Sequence, residues 1–116
     1  MRTAFDLAWA AGFLDGEGNY YFRHGPGVQA SQCDLRPLER LQRILGGTIN
    51  GPHGPYGGRK SPFWNWQVYG PRAIGVMLTL HGLAAEPKRD QITACLTKWK
   101  AAPGQGYRSD LHAPGV

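Results

Sequence analysis

The nine residues Ala10-Ala11-Gly12-Phe13-Leu14-Asp15-Gly16-Glu17-Gly18 predict the end of a helix, and this end carries two acids and three glycines. The helix is expected to begin near Ala4, because Thr3 and Asp6 have the spacing of a capping box. The helix should end at Gly16 to Gly18, because glycines commonly terminate helices. We expect the other elements of the chain to be organised around this helix and its acidic end.

Small residues recur along this helix at every fourth position, at Ala8, Gly12 and Gly16. That spacing places them on one stripe, where the backbone of another helix can approach closely. Glycine inside a helix costs about 1 kcal/mol relative to alanine, so Gly12 needs a compensating contact. The stripe therefore predicts a helix-to-helix contact surface, with a frayed helix end as the alternative.

The two acids, Asp15 and Glu17, lie where the helix ends and precede the aromatic run Tyr20-Tyr21-Phe22. A carboxylate at a helix C-terminus meets the negative end of the helix dipole, which is unfavourable unless a cation offsets it. A divalent metal ion would be such a cation. The tetrapeptide alone leaves a second interpretation open, in which both acids are solvated turn residues.

The order of residues from Ala10 to Gly18 is a small pair, glycine, two apolar residues, acid, small residue, acid and glycine. It resembles the signature of the LAGLIDADG homing endonucleases, with Ala10 where the family name has leucine. The resemblance implies that Glu17 binds the catalytic metal, with the backbone carbonyl of Gly16 as a further ligand. It also implies an interface between subunits along the motif helix, formed by Ala8, Gly12, Asp15 and Gly16.

Length and composition indicate one domain, which we assign to residues 1–102, followed by a flexible C-terminal tail over residues 103–116 that is rich in glycine and proline. Hydrophobic residues make up 41% of the 116 residues, and no apolar run approaches the roughly 20 residues of a membrane span. The N-terminus shows no apolar signal core, so a cytoplasmic location is expected.

The charge balance is 13 Lys and Arg against 8 Asp and Glu, a net charge of +5. This excess favours a polyanionic partner, although many soluble domains carry a similar excess without binding nucleic acid. Cys33 and Cys95 lie far apart and lack paired histidines, which disfavours a zinc site or a disulfide framework. Both are predicted to be buried, reduced thiols.

Two hairpins are predicted after the motif helix. Strands at Asn19–Arg23 and Gln29–Cys33 form the first, and strands at Thr48–Asn50 and Pro62–Tyr69 form the second. The segment 51–60 between the latter two is predicted to be a mobile basic loop. Strand periodicity puts polar and basic side chains on one face, away from Trp64 and Trp66, which are expected in the core. This face comprises Asn19, Tyr21, Arg23, Gln29, Thr48, Asn50, Asn65 and Gln67.

Three further helices are predicted. Asp34 caps the first, Leu35–Leu45, and Pro71 opens the second, which runs to about His81 with Ile74, Met77 and Leu78 on its apolar side. Pro87 opens the third, whose apolar positions have helical spacing. These positions are Ile92, Cys95, Leu96 and Trp99.

This order of elements predicts an α+β fold with one antiparallel sheet that has helices on one face. The resemblance implies that it is a LAGLIDADG homing-endonuclease-like αββαββα domain, whose other sheet face is a DNA-binding surface. A two-stranded ribbon fits the major groove, where Asn, Gln and Arg can pair with base edges. Phosphate contacts would come from Arg59, Lys60 and Arg72. For any one of these residues, a solvated strand face is the alternative.

The resemblance extends over roughly Ala4 to Trp99 and implies two further catalytic residues beside Glu17. Gln32, just before the second helix, is expected to help order active-site water. Lys88, near the start of a late helix, is expected to approach the active site, with Arg89 as the alternative.

One motif per chain implies a homodimer, since the family uses two motif helices side by side. The expected activity is an Mg²⁺-dependent double-strand break at a long, roughly palindromic site in double-stranded DNA. Two other functions stay open. The chain could be an intron-encoded RNA maturase, which is a splicing cofactor, or a DNA-binding protein on the same scaffold that does not cut.

Overall fold

The computed structural model describes residues 2–55, 57 and 61–101, so Arg59, Lys60 and the predicted tail lie outside the described residues. The first helix and hairpin are α1 (Ala4–Glu17), β1 (Gly18–Phe22) and β2 (Pro26–Gln32). The second helix and hairpin are α2 (Leu35–Leu45), β3 (Thr48–His53) and β4 (Phe63–Tyr69). The chain continues with α3 (Gly70–Leu80), a 3₁₀ turn (His81–Leu83) and α4 (Glu86–Ala101).

The predicted capping box begins α1. Thr3 Oγ1 accepts the Asp6 N–H at 3.0 Å, and the Asp6 carboxylate accepts the Thr3 N–H at 3.1 Å. Buried Ala10, Ala11 and Leu14 attach the helix to the core. Because β1 starts at the residue after the helix, the acidic end of α1 lies at the margin of the sheet.

The four strands form one antiparallel sheet in the order β1-β2-β4-β3, with helices packed on one face. The predicted α+β class and the order of elements are confirmed. β3 continues to His53, three residues beyond the predicted strand, because its pairing with β4 resumes after an irregular register between Asn50 and His53. Gly51 and Pro52 had suggested that the loop begins there.

The core lies between the helices and the inner sheet face. Trp66 is fully buried, and its Nε1 donates to the Gly46 carbonyl at 2.8 Å, which joins β4 to the end of α2. Trp64 was also expected in the core, but it is only half-buried and packs at the margin.

Two other predictions about burial are wrong. Leu78 is 62% exposed, because the buried stripe of α3 is centred on Ala73, Met77 and Leu80, and Leu78 lies beyond the edge of that stripe. Cys33 is exposed just beyond the end of β2, whereas Cys95 is buried on α4 as predicted. Among the described residues, no helix combines the length and apolar character that crossing a bilayer requires.

Candidate active site and nucleic-acid face

Glu17 is the last residue of α1, and its side chain is exposed. Gln32, the last residue of β2, donates from Nε2 to Glu17 Oε1 at 2.6 Å. The structure therefore brings together two of the three predicted catalytic residues. The amide contact restricts the orientation of the carboxylate without closing it off from solvent.

Lys88 lies on the other side of the same junction. Its Nζ donates to the Gly18 carbonyl at 2.7 Å, although the two residues are 70 positions apart in the chain. The last turn of α1 contains no basic residue, so this ammonium places a cation near the negative end of the helix dipole. Lys88 thus supplies part of the positive charge that the sequence analysis expected a metal ion to provide at this helix end.

Arg89, the alternative to Lys88, is engaged elsewhere. Its Nε donates to the His81 carbonyl at 3.2 Å and its Nη2 to the Ala84 carbonyl at 2.9 Å. These bonds tie the 3₁₀ turn to α4. Arg89 is therefore a structural residue of that turn, and Lys88 is the basic residue at the acidic end of α1.

Asp15 has a partner within the chain. Its Oδ1 accepts the Ala85 N–H at 3.0 Å, which attaches the end of α1 to the residue before α4. The hydroxyl of Tyr20 is buried nearby and has no hydrogen-bond partner among the described residues. Burial, and then the charge of Asp15, raise the pKa of Tyr20 well above its ordinary value, so this hydroxyl stays protonated.

The candidate metal ligands in one chain are the Glu17 carboxylate and the backbone carbonyl of Gly16. Oxygen ligands of this kind suit Mg²⁺, and both residues are exposed. Within the part of the chain that the structure describes, no three His, Cys, Asp or Glu side chains cluster to hold a metal. The described residues of one chain therefore offer two oxygen ligands to a divalent ion and no complete set.

The stripe of Ala8, Gly12 and Gly16 faces solvent, so the part of the chain that the structure describes does not pack against it. A Cβ atom added at Gly12 or Gly16 would meet no atom within 4 Å. Phe5, one turn before Ala8, is 75% exposed and extends the stripe with a large apolar side chain. The surface is available to a partner helix along most of α1.

The predicted DNA-binding residues of the sheet form rows across the face that the helices leave open. One row runs across all four strands and consists of Asn19, Gln29, Gln67 and Thr48. A second row consists of Ser31, Asn65 and Asn50. A third row consists of Tyr21, Gly27 and Tyr69.

Ser31 and Tyr69 are members of this face that the sequence analysis missed. The Ser31 hydroxyl donates to Asn65 Oδ1, and the Tyr69 hydroxyl donates to Gln67 Oε1. Both lie two residues beyond a predicted member of the face, Gln29 and Gln67, so strict strand periodicity could have identified them.

One end of the third row is aromatic and basic, because Tyr21 and Arg23 lie there. The ring of Tyr21 lies over Gly27, where an added Cβ would be 2.3 Å from the ring. The Arg23 guanidinium is 4.8 Å from the centroid of the same ring. Burial raises the pKa of Tyr21, the neighbouring Tyr69 adds to the rise and Arg23 opposes it, so a neutral phenol lies beside a cation.

Arg72, a predicted phosphate contact, lies apart from these rows. It is exposed in the first turn of α3, and its guanidinium lies against Gly46 at the end of α2. This position is on the helix-covered side of the sheet.

The chain resembles solved structures of homing endonucleases. I-CvuI in complex with its target in the presence of 2 mM Ca superposes with a TM-score of 0.65 at 23% identity, over 85% of this chain and 68% of that chain. The archaeal intron-encoded homing endonuclease I-Vdi141I complexed with DNA gives 0.61 at 15% identity, over 86% and 72% of the two chains. The group I intron-encoded homing endonuclease I-CeuI complexed with DNA gives 0.57 at 13% identity, over 87% and 55%.

No protein-family model and no curated protein sequence matches the chain. The chain spans about two thirds of the length of the I-CvuI chain. At these identities the comparison shows the fold, and the LAGLIDADG homing-endonuclease-like fold predicted from the motif is confirmed.

Proposed function

We propose that this chain, which has the LAGLIDADG homing endonuclease fold, is a site-specific homing endonuclease that acts as a homodimer. It makes Mg²⁺-dependent double-strand breaks in DNA at a long, roughly palindromic site. One observation carries the proposal: Glu17 stands exposed at the end of α1, where Gln32 contacts its carboxylate and Lys88 contacts the next residue. The polar sheet face lies beside this group, and similar folds have been solved bound to DNA.

Dimerisation would complete the active site. Two copies joined along the exposed stripe of Ala8, Gly12 and Gly16 would form a two-fold interface, in which the same patch of each copy meets the other. The two-fold axis would run along the pair of helices, so that the acidic ends of two α1 helices lie together. Two Glu17 carboxylates close together repel each other unless cations are bound, which would couple metal binding to the active dimer.

The residues of the chain have separate roles in this reaction. Bound Mg²⁺ would supply an activated water and stabilise the charge on the leaving oxygen. Glu17 and the Gly16 carbonyl would hold the metal, and Gln32 would orient the Glu17 carboxylate through its 2.6 Å contact. Lys88 would add a positive charge beside the scissile phosphate.

The open sheet face would bind the DNA. Its Asn and Gln side chains can donate to and accept from base edges in a major groove, and Arg23 at the end of the third row can contact phosphate. The I-CvuI, I-Vdi141I and I-CeuI structures that share this fold are complexes with DNA, which supports this assignment.

Glu17→Gln tests the proposal, because it keeps the size of the side chain and removes the anionic ligand. A binding site is first selected from randomised DNA duplexes with the wild-type protein. We expect Glu17→Gln to retain affinity for the selected site within about two-fold and to lose Mg²⁺-dependent cutting by more than about 100-fold. Glu39→Gln, at an exposed position on α2, is the matched control and should cut like the wild type.

The result that would overturn the active-site assignment is retained cutting by Glu17→Gln. A protein that binds but does not cut would show equal affinity in Mg²⁺ and in EDTA, with no nicking by the wild type. A maturase would instead accelerate the splicing of its host intron.

A further inference from the structure

β1 is an edge strand, and the segment that carries Glu17 leads into it. On one side β1 pairs with β2, and on the other side it has no neighbouring strand among residues 2–55, 57 and 61–101. Alternate residues of an edge strand direct their backbone groups to the unpaired side, and here these residues include Gly18 and Tyr20. Such groups need partners from outside the sheet.

The start of α4 provides partners for this edge. Lys88 Nζ donates to the Gly18 carbonyl at 2.7 Å, and Gln91 Oε1 accepts the Tyr20 N–H at 3.2 Å. Residues three apart lie on the same face of a helix, so Lys88 and Gln91 reach the strand together. Side chains of α4 therefore take the place of a fifth strand along the beginning of β1.

A third bond extends the same series on the other side of Glu17. The Ala85 N–H, just before α4, donates to Asp15 Oδ1 at 3.0 Å. Ala85, Lys88 and Gln91 thus form hydrogen bonds with Asp15, Gly18 and Tyr20, respectively, along the junction between α1 and β1. The backbone of Glu17 is bracketed by these bonds, while its exposed side chain meets Gln32.

We infer that Gln91 is a positioning residue for Glu17, which it fixes through the Tyr20 backbone without touching the carboxylate. The inference rests on the proposed function, because it assigns Gln91 a part in the same active site. Gln91 is half-buried, and its contact with a backbone N–H identifies the acceptor as the side-chain oxygen. Removing this acceptor leaves the Tyr20 N–H without a partner and frees one end of the junction.

Gln91→Leu and Gln91→Glu separate this role from a general effect on stability. Leucine fills a similar volume without an acceptor, whereas glutamate keeps a side-chain oxygen for the Tyr20 N–H. Gln42→Leu is the matched control: Gln42 also binds a backbone group, the Gly47 carbonyl at 3.2 Å, but it lies at the end of α2. Single-turnover cutting is measured at saturating concentrations of the selected DNA site, together with DNA affinity.

We expect Gln91→Leu to cut about ten-fold more slowly with DNA affinity within about two-fold, since small displacements of catalytic groups cost rate. Gln91→Glu should recover most of that rate, and Gln42→Leu should cut like the wild type. Equal rates for Gln91→Leu and the wild type would overturn the inference, as would a Gln91→Glu variant that is as slow as Gln91→Leu.

A second measurement decides the inference even if the wild-type protein does not cut, in which case the proposed function fails separately. In NMR spectra of the intact protein, Gln91→Leu should speed hydrogen exchange at the Tyr20 amide and shift the Glu17 carboxyl carbon. Gln91→Glu and Gln42→Leu should leave both signals near their wild-type values. An unshifted Glu17 signal in Gln91→Leu would show that Gln91 does not position the carboxylate.

Discussion

At Gly27, the absence of a side chain makes room for a neighbouring ring. The Tyr21 ring occupies the space above this glycine, and an added Cβ would be 2.3 Å from the ring. A tyrosine side chain can rotate away, so Gly27→Ala should keep the fold but displace Tyr21, at a cost of about 1 kcal/mol in the free energy of unfolding. Affinity for the selected DNA site should fall with it, because Tyr21 and Arg23 form one end of the open face.

Thermal unfolding and DNA binding of Gly27→Ala check this prediction. Gly25→Ala is the control, since a Cβ at Gly25 would meet nothing within 4 Å, and it should change neither quantity appreciably. Wild-type DNA affinity in Gly27→Ala would show that the position of the Tyr21 ring does not matter for binding.

Individual site residues differ in how far the sequence could reveal them. Strand periodicity placed Tyr21 on the open face, and the neighbouring Tyr20, which points to the other side of the strand, is buried in the core. Gln32 and Lys88 came from the family resemblance, and the structure places them beside Glu17 and Gly18, while their catalytic roles stay predictions. Gln91 was missed because it meets Tyr20 across 71 positions of the chain, a pairing that no local pattern encodes.

Among the elements, α2 has a cap whose strength depends on pH. Asp34 Oδ1 accepts the Arg36 N–H, and the Arg36 guanidinium binds the same carboxylate at 2.7 Å. The side-chain hydrogen bond from Arg36, and then the backbone bond, lower the pKa of Asp34 from 3.8 to about 2. Since the folded pKa lies below the unfolded one, the cap stabilises α2 above pH 4, and this contribution is lost as the pH falls towards 2.

Asp34→Asn tests this element, because asparagine can still cap the helix but does not titrate. We expect the wild type to have the higher melting temperature at neutral pH. The difference should shrink as the pH falls from about 4 to about 2, and it should be small throughout because the ion pair is exposed and screened by salt. A difference in melting temperature that does not change over this range would exclude Asp34 as the titrating group.

The elements were predicted well where a local signal marks both ends. α2 has the predicted bounds because Asp34 begins it and Gly46-Gly47 ends it. β3 was predicted too short, because Gly51 and Pro52 look like a loop locally and only the partner strand β4 keeps that stretch extended. Leu78 was misplaced for a similar reason: its apolar side chain continues the stripe in the sequence, but contact with the rest of the fold determines where the buried stripe ends.

At the scale of the whole molecule, the exposed stripe of α1 predicts a dimer that Gly12→Leu should break. In the single chain this substitution has room, since a Cβ at Gly12 would meet nothing within 4 Å, and leucine is the better helix former by up to about 0.8 kcal/mol. In a two-fold contact the same side chain would stand between two helices, where overpacking costs about 1–3 kcal/mol. A loss of stability in Gly12→Leu would therefore indicate that another helix packs against this stripe.

Sedimentation at micromolar concentration, combined with thermal unfolding, checks this prediction. Gly75→Leu on α3 is the control, because Gly75 is also an exposed helical glycine with open space around it. We expect monomers for Gly12→Leu and dimers for Gly75→Leu and the wild type. A Gly12→Leu dimer with raised thermal stability would place the interface elsewhere.

The two outer strands of the sheet also bear on how copies of the chain can associate. An uncovered strand edge is a template for sheet extension and aggregation. Here Lys88 and Gln91 occupy backbone groups at the start of the β1 edge, and the other edge, β3, contains Pro52, which has no N–H to donate, within a stretch of irregular register. Both edges therefore disfavour the addition of another strand. Extension of the sheet from copy to copy would thus not compete with the proposed pairing of two α1 helices.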